Sequence, residues 1–500
     1  MEPGKTVDKS HIPNENIIRL VKNSAFVFLA RITDMGVAVI STALIARYLG
    51  VTDFGYYAFV MAITLMLIPF TDFGFERIVT REIAGNKKLA ERYLGSSVIA
   101  RSFFSVIIVV AIYGITVIFD WDKKIIEAIY ISTLTQLCVS MGMLAIGTFR
   151  AFEKMEYELL LNFIYNIVYL SLLIFVIRSD LGFLYIFVAR FLASLINMST
   201  LMTFAVHKFV KPILKIDIKL IAYLFREAMP LGMFALLFTA SMRVDVYILN
   251  YFRGPYDVSL FEAAHRIILQ LQVIPLSIVL ALFPYFARLS KKSKDSLSFS
   301  FYKSFKYMLI ISLPLPVLLT MSSNPIISLL YGNAFSDASL SLNLLSWTLP
   351  FLFLISLQSF VLTSEGKQIL NTISAGIGFM TKLILDILLV QEYGYLGASF
   401  ATLISYIILF ALLLYFVFKT IRVPPLSEIV SKPLLSIGGI GILSYFIYNK
   451  AGLNLIMVKW AAVIATYITV MYFLKAFTPD ELSIFKSILL KHRCNKWRIL

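Results

Sequence analysis

Six basic side chains, Arg31, Arg101, Arg190, Arg243, Arg266 and Lys382, fall inside long apolar stretches of a 500-residue chain. A charge in hydrocarbon costs on the order of 2.5–3.5 kcal/mol on an insertion scale, so such groups face a partner or a watery cavity. Arg31, Arg243 and Arg266 lie on three different apolar stretches. Guanidinium groups converging from three helices suit one polyanionic group such as a phosphate, because their donors are planar and bidentate and their charge does not titrate away. Lys382 adds a point charge. Acidic or titratable groups accompany them: Asp34 beside Arg31, Asp245 beside Arg243, Glu262 and His265 ahead of Arg266, and Asp386 after Lys382. Spacings of three or four residues put Arg31 with Asp34, Glu262 with Arg266 and Lys382 with Asp386 on common helix faces, whereas Arg243 and Asp245, two apart, cannot share one. Each set has two readings. It is a self-neutralised pair that lets a charged helix insert, or a substrate-binding cation with a counter-charge or ion-coupling acid. Arg101, near a helix end, is expected to snorkel to the interface; Arg190 stays open.

The other chemistry searched for is absent from the sequence. There is no G-x-x-x-x-G-K-[ST] phosphate loop, no H-E-x-x-H, no Cys/His cluster, and no G-x-S-x-G with triad partners. Glu262 with His265 is an acid/base pair that no external loop completes into a substrate site. No catalytic residue, metal or cofactor is therefore expected, and the chain reads as a non-enzyme. Cys138, in an apolar stretch, and Cys494, near the C-terminus, are placed too differently to form a disulfide.

The elements that must carry these charges are membrane helices. Hydrophobic residues make up 59% of the chain, charged residues 15%, and the mean hydropathy is +0.84, which excludes a soluble surface. The fold class is all-α and polytopic, with about fourteen spans near 24–48, 54–75, 96–119, 127–149, 158–177, 182–206, 226–252, 258–285, 303–322, 338–363, 369–390, 395–418, 431–449 and 455–475, at ~20 residues each. The first apolar stretch is too long for a signal peptide and lacks a small-residue cleavage pattern, so it reads as a span. Residues 14–22 read as an amphipathic surface helix with Asn14 as N-cap, and Thr478-Pro479-Asp480-Glu481 as a capping box that opens a surface tail helix.

The net charge of +16 reports topology. Of 45 Lys and Arg, 32 fall in one set of alternating loops, 7 in the other and 6 inside spans. That asymmetry places both termini in the cytoplasm and makes anionic membrane lipids, not nucleic acid, the basic partner surface.

The two halves resemble each other. An offset of 212 residues aligns 153–182 with 365–394, and Tyr48 to Asp53 resembles Tyr251 to Asp257 with one residue inserted. The domain reading is a cytoplasmic segment 1–23, a six-helix lobe 24–206, a cytoplasmic linker 207–225, a second lobe 226–418, helices 13–14 over 431–475 and a cytoplasmic tail 476–500. Repeats of this kind enclose a midplane site and rock about it, with helices 1, 2, 7 and 8 expected to wall a central cavity. Pro275 is the expected gating bend.

The motif Ala46-Arg47-Tyr48-Leu49-Gly50-Val51-Thr52-Asp53-Phe54-Gly55-Tyr56-Tyr57, then Asp72-Phe73-Gly74-Phe75 and Arg81-Glu82, is similar to the N-terminal signature of bacterial and archaeal polysaccharide flippases. These are the O-antigen and repeat-unit exporters of the multidrug/oligosaccharidyl-lipid/polysaccharide superfamily. Leu330-Tyr331-Gly332-Asn333-Ala334-Phe335 and Gly366-Lys367-Gln368 resemble the family's second half. The resemblance covers about 24–420. It implies a two-lobed, fourteen-helix flippase of the cytoplasmic membrane, working by alternating access on a polyprenyl-pyrophosphate-linked oligosaccharide. It also implies basic residues on helices 1, 7 and 8, matched in type by Arg31, Arg243 and Arg266. A monomer is expected, with polysaccharide-assembly proteins as further partners. The alternatives are an ion-coupled drug exporter of the same superfamily and a membrane polymerase or ligase acting on lipid-linked glycans. Gly50, Asp53, Gly55, Asp72 and Gly74 read as turn and helix-end geometry.

Overall fold

Without water, a backbone must satisfy its own N–H and C=O groups, and a single chain segment does so as a helix. The computed structural model describes residues 14–72, 74–119, 121–427, 429–438 and 456–476, and all regular structure among them is helical. The expected tail capping box, Cys494 and the second half of the thirteenth span lie outside the described residues.

Two compact units divide at Ser259 and Leu260. The first holds α1 (Asn14–Leu65), α2 (Ile68–Asp72), α3 (Phe75–Gly85), α4 (Ala90–Ile118), α5 (Lys123–Ala151), α6 (Met155–Arg178), α7 (Phe183–Lys208) and α8 (Ile218–Phe252). Then α9 (Pro255–Leu271) leads into the second, with α10 (Val273–Lys292), α11 (Lys294–Ser312), α12 (Pro314–Met321), α13 (Ser323–Tyr331), α14 (Ala338–Ser346), α15 (Leu349–Ser364), α16 (Gln368–Thr420), α17 (Ile429–Gly438) and α18 (Ile456–Phe473).

Seven helical stretches are long and apolar enough to cross a bilayer, and α14 with α15, bent by 42°, make an eighth. Two of the seven are double, since α1 leaves helical geometry at Gly50 and α16 at Gly394. With α8, α9–α10, α17 and α18 these correspond to the fourteen spans read from the sequence. The sequence repeat reappears in the backbone. The 212-residue offset carries Gly182 (φ 91°) onto Gly394 (φ 54°), and the Tyr48/Tyr251 likeness carries Gly50 (φ 71°) onto Gly254 (φ 84°). Each reverses the chain between consecutive helices in a conformation that a Cβ disfavours.

Three features of the packing go beyond what the sequence pattern shows. Helix α8 belongs to the first compact unit because it packs on α1, α2, α3 and α4. The segment before it lies along the first unit, where the Ile213 N–H donates to the Glu91 carbonyl at 3.0 Å. The apolar connection 323–337 is not a plain loop. It folds as α13 and a 3₁₀ turn, Asn333–Phe335, burying Tyr331 and Phe335. Prolines mark the breaks: Pro275 has no N–H for the Leu271 carbonyl, and α9 gives way to α10 there. Pro314 and Pro350 stand in the first turns of α12 and α15.

Gly55 packs directly on backbone: an added Cβ there would lie 1.8 Å from the Pro255 carbonyl oxygen. Gly55→Ala therefore forces the start of α9 away from α1. It should destabilise the protein by at least the ~1–3 kcal/mol of an overpacked core. Thermal unfolding of the purified protein checks this, with Gly36→Ala, whose Cβ meets nothing within 4 Å, expected to stay near wild type.

Candidate functional site

Three turns meet at one end of the first unit. The Tyr48 hydroxyl donates to Asp180 Oδ1 (2.9 Å) and accepts from the Gly182 N–H (2.8 Å). Lys124 Nζ lies 3.0 Å from Asp53 Oδ1 and sits over the Tyr56 and Phe183 rings. Gly50, Asp53 and Gly55 thus act in turn and helix-end geometry, as their residue types suggest.

The opposite end holds a chain of ion pairs that the sequence reading did not assemble. Arg101 does not snorkel: its side chain is fully buried and donates to Asp72 and to the Ser140 carbonyl. A guanidinium with a carboxylate within reach is stabilised by pairing, and α4 is held there against α2 and α5. Asp72 also starts α3, accepting from the Gly74 and Glu76 N–H groups at 3.3 and 3.1 Å, with Gly74 in the left-handed region. Glu76 receives Arg150 at 2.8 Å, and Arg150 binds Glu158 in bidentate fashion at 2.6 and 2.9 Å. The signal for these residues was a carboxylate at a helix start opposite an arginine in an apolar helix. Separations of 29 and 74 residues hide it from helix-spacing rules.

Between these ends lie Arg31 and Asp34. Asp34 Oδ1 accepts from Asn166 Nδ2 at 2.7 Å, which ties α1 to α6, and it lies within electrostatic reach of Arg31 and Glu158. Arg31 is exposed, and no hydrogen bond or ion pair joins it to another described residue. At 1.5 Å rise per residue, Arg31 lies about 28 Å from Gly50, whereas Arg243 lies about 15 Å from the Arg253 end of α8. Arg31 and Arg243 are therefore at different depths. Arg243 is half-buried and Asp245 fully buried, on different faces of α8. In the second unit, Arg266 Nε donates to Glu262 Oε2 at 3.0 Å, and His265 Nδ1 is 3.9 Å from Glu262 Oε1. Those three residues are brought together on α9 with Glu262 and His265 buried. Lys382 and Asp386 are also both buried, one turn apart on α16. Among the described residues no group of three or more His, Cys, Asp or Glu is placed to hold a metal.

Residues 20–290 match the family model described as polysaccharide biosynthesis protein, and residues 230–388 match MatE. An uncharacterized membrane protein of Methanocaldococcus jannaschii is 28% identical over 205 residues, so the match takes in only 40% of this chain and 40% of that relative's length. The fold is similar to that of lipid II flippase MurJ in an inward closed conformation, with TM-score 0.72 and 18% identity over 94% of this chain and 100% of that one. It is also similar to an inward-facing multidrug resistance MATE family transporter of the MOP superfamily, with TM-score 0.64 and 14% identity over 79% and 94% of the two chains.

Removing one partner of a buried ion pair strands the other, at a cost of about 3–5 kcal/mol. Arg101→Gln and Asp72→Asn should each lower thermal stability by that order, and the double variant should fall well short of the sum; independent effects in a double-mutant cycle would refute the pairing. On the surface, Asp217 accepts from the Leu220 N–H at 3.0 Å and from Arg92, and these contacts hold its carboxyl below the usual carboxylate range. Its contribution is present above the unfolded pKa of ~4 and is lost as pH falls through the lower folded value. Asp217→Asn should flatten the acid limb of the stability–pH profile.

Proposed function

The chain belongs to the polysaccharide biosynthesis protein family, and we propose that it is a flippase that moves a polyprenyl-pyrophosphate-linked oligosaccharide across the cytoplasmic membrane by alternating access. The observation that carries the reading is Arg31. It is an exposed guanidinium in a membrane helix whose neighbouring carboxylate, Asp34, is engaged by Asn166 on another helix. A cation kept in a span at such cost serves an anionic ligand, and a pyrophosphate fits the donor geometry of arginine. The match to the family model and the fold shared with a lipid II flippase support the same assignment.

Arg243, Arg266 and Lys382 are further candidates for the pyrophosphate path. Because Arg31 and Arg243 differ in depth by more than a pyrophosphate's length, they act as successive contacts along the path and not as one simultaneous clamp. Asp34, Asp245, Glu262, His265 and Asp386 serve as counter-charges when the path is empty, or carry a coupling ion. The positive-inside count supports cytoplasmic termini, and the lobes 24–206 and 226–418 are the units that rock. Membrane lipids and polysaccharide-assembly proteins are the partners of a monomeric transporter.

The MatE match over residues 230–388 favours one second reading, an ion-coupled exporter of amphipathic compounds. Proteoliposomes separate the two. A pyrophosphate-linked oligosaccharide should become accessible to an impermeant lectin outside only when the protein is present, chemically unchanged. Arg31→Gln and Arg243→Gln should each slow this about tenfold, the loss of one charge-assisted contact worth ~1.5–3 kcal/mol, without loss of folded protein. Ion-driven uptake of a cationic dye with no glycolipid movement would establish the exporter, and wild-type rates in both variants would remove the arginines from the path.

A further inference from the structure

Arg101 and Arg150, both in the first unit, each have a carboxylate: Arg101 has Asp72, and Arg150 has Glu76 and Glu158. Arg190 on α7 does not. Its guanidinium donates from Nη1 to Met61 Sδ at 3.3 Å, with Tyr57, Tyr165 and Tyr169 within electrostatic reach. No carboxylate of a described residue lies within ion-pair distance of it. Phenols and a thioether satisfy donors but supply no negative charge, so a full positive charge remains inside a spanning helix.

The surroundings are built and not incidental. Tyr57 packs on Phe187 at 5.4 Å, Tyr165 stacks on Tyr169 with planes 7° apart, and Ser41 lies close to Tyr169. These residues come from both halves of α1, from α6 and from α7. Measured along the helices from the Gly50 and Gly182 turns, Ser41, Tyr57, Met61 and Arg190 all lie about 10–16 Å deep. Arg190 and Tyr165 are only half-buried, so the cluster is open on one side. One bond further on, the Tyr247 hydroxyl donates to the Ala62 carbonyl at 3.0 Å, one turn from Arg243 at a similar depth.

We propose that Arg190, with Tyr57, Tyr165 and Tyr169, forms an anion-binding subsite in the first unit for a small oxyanion, a carboxylate or phosphate, borne on a molecule with a flat or apolar face. The guanidinium supplies the charge and the fork of donors; the phenols supply hydroxyls and ring faces. The subsite stands apart from the transport reading, because it concerns binding and does not require movement. Two sources carry this chemistry: an acidic sugar of a glycan and a phospholipid headgroup.

The test is calorimetric titration of the full-length protein in phosphatidylcholine nanodiscs with glucuronate, with glucose as the uncharged control. Wild type should bind glucuronate saturably and glucose not at all. Arg190→Gln should weaken glucuronate binding about tenfold or more and Tyr165→Phe about threefold, while Lys88→Gln, an exposed position outside both sites, leaves it unchanged. If Arg190→Gln does not yield folded protein, Arg190→Lys decides, since it keeps the charge and loses the fork; about fivefold weaker binding is expected. Repeating the titration with phosphatidylglycerol in the discs separates the sources. Competition assigns the site to headgroups, and unchanged binding assigns it to an acidic sugar. Absence of saturable glucuronate binding by wild type, or wild-type affinity in the Arg190 variants, overturns the proposal.

Discussion

A guanidinium removed from water must find a negative charge or a purpose, and the first unit is organised by how it meets that demand. At Arg101 the demand is met by Asp72, and the same carboxylate starts α3 by accepting from the Gly74 and Glu76 N–H groups. One side chain thus joins α2, α3 and α4, and the Ser140 carbonyl adds α5. Because α3 begins correctly, Glu76 is aimed at Arg150, Arg150 grips Glu158, and Glu158 stands within electrostatic reach of Asp34. Near this end of the unit, two guanidiniums and three carboxylates thus form one connected network across five helices, in which removing Asp72 strands Arg101.

Against that network, arginines with no hydrogen-bonded carboxylate among the described residues stand out. Arg31 is exposed beside an aspartate already engaged by Asn166, and Arg190 is held by neutral tyrosines. In the same unit, packing arginines carry partners, so a cation left to neutral company is better explained by an anionic ligand than by packing. The depths of Arg31 and Arg243 then describe two successive positive positions along the first unit. This suits a headgroup that travels better than one that rests in a single pocket.

The fold was largely legible in the chain, because hydropathy runs of ~20 residues and turn glycines are local signals. Gly50, Gly182, Gly254 and Gly394 each fall where a sequence repeat and a turn motif coincide. The site was legible in part. Intrahelical spacing joined Glu262 to Arg266 correctly, since an i, i+4 rule sees along one helix. It missed Asp72 with Arg101 and Glu76 with Arg150, because those partners meet across helices, where a carboxylate at a helix start looks like an interfacial residue. Arg190 was equally hidden, since its defining property is the absence of a nearby acid. That absence becomes visible only once α1, α6 and α7 are packed together.

The central claim is that Arg31 and Arg243 receive the anionic group while the ion-pair network through Arg101 and Arg150 stays intact. It is tested most directly by an experimental structure of the full-length protein with a polyprenyl-pyrophosphate-linked oligosaccharide bound. The account predicts pyrophosphate oxygens within hydrogen-bond distance of Arg31 or Arg243, with Arg101 still on Asp72 and Arg150 still on Glu158. A pyrophosphate seated away from both of the first two arginines, or one that draws Arg101 off Asp72, would contradict it.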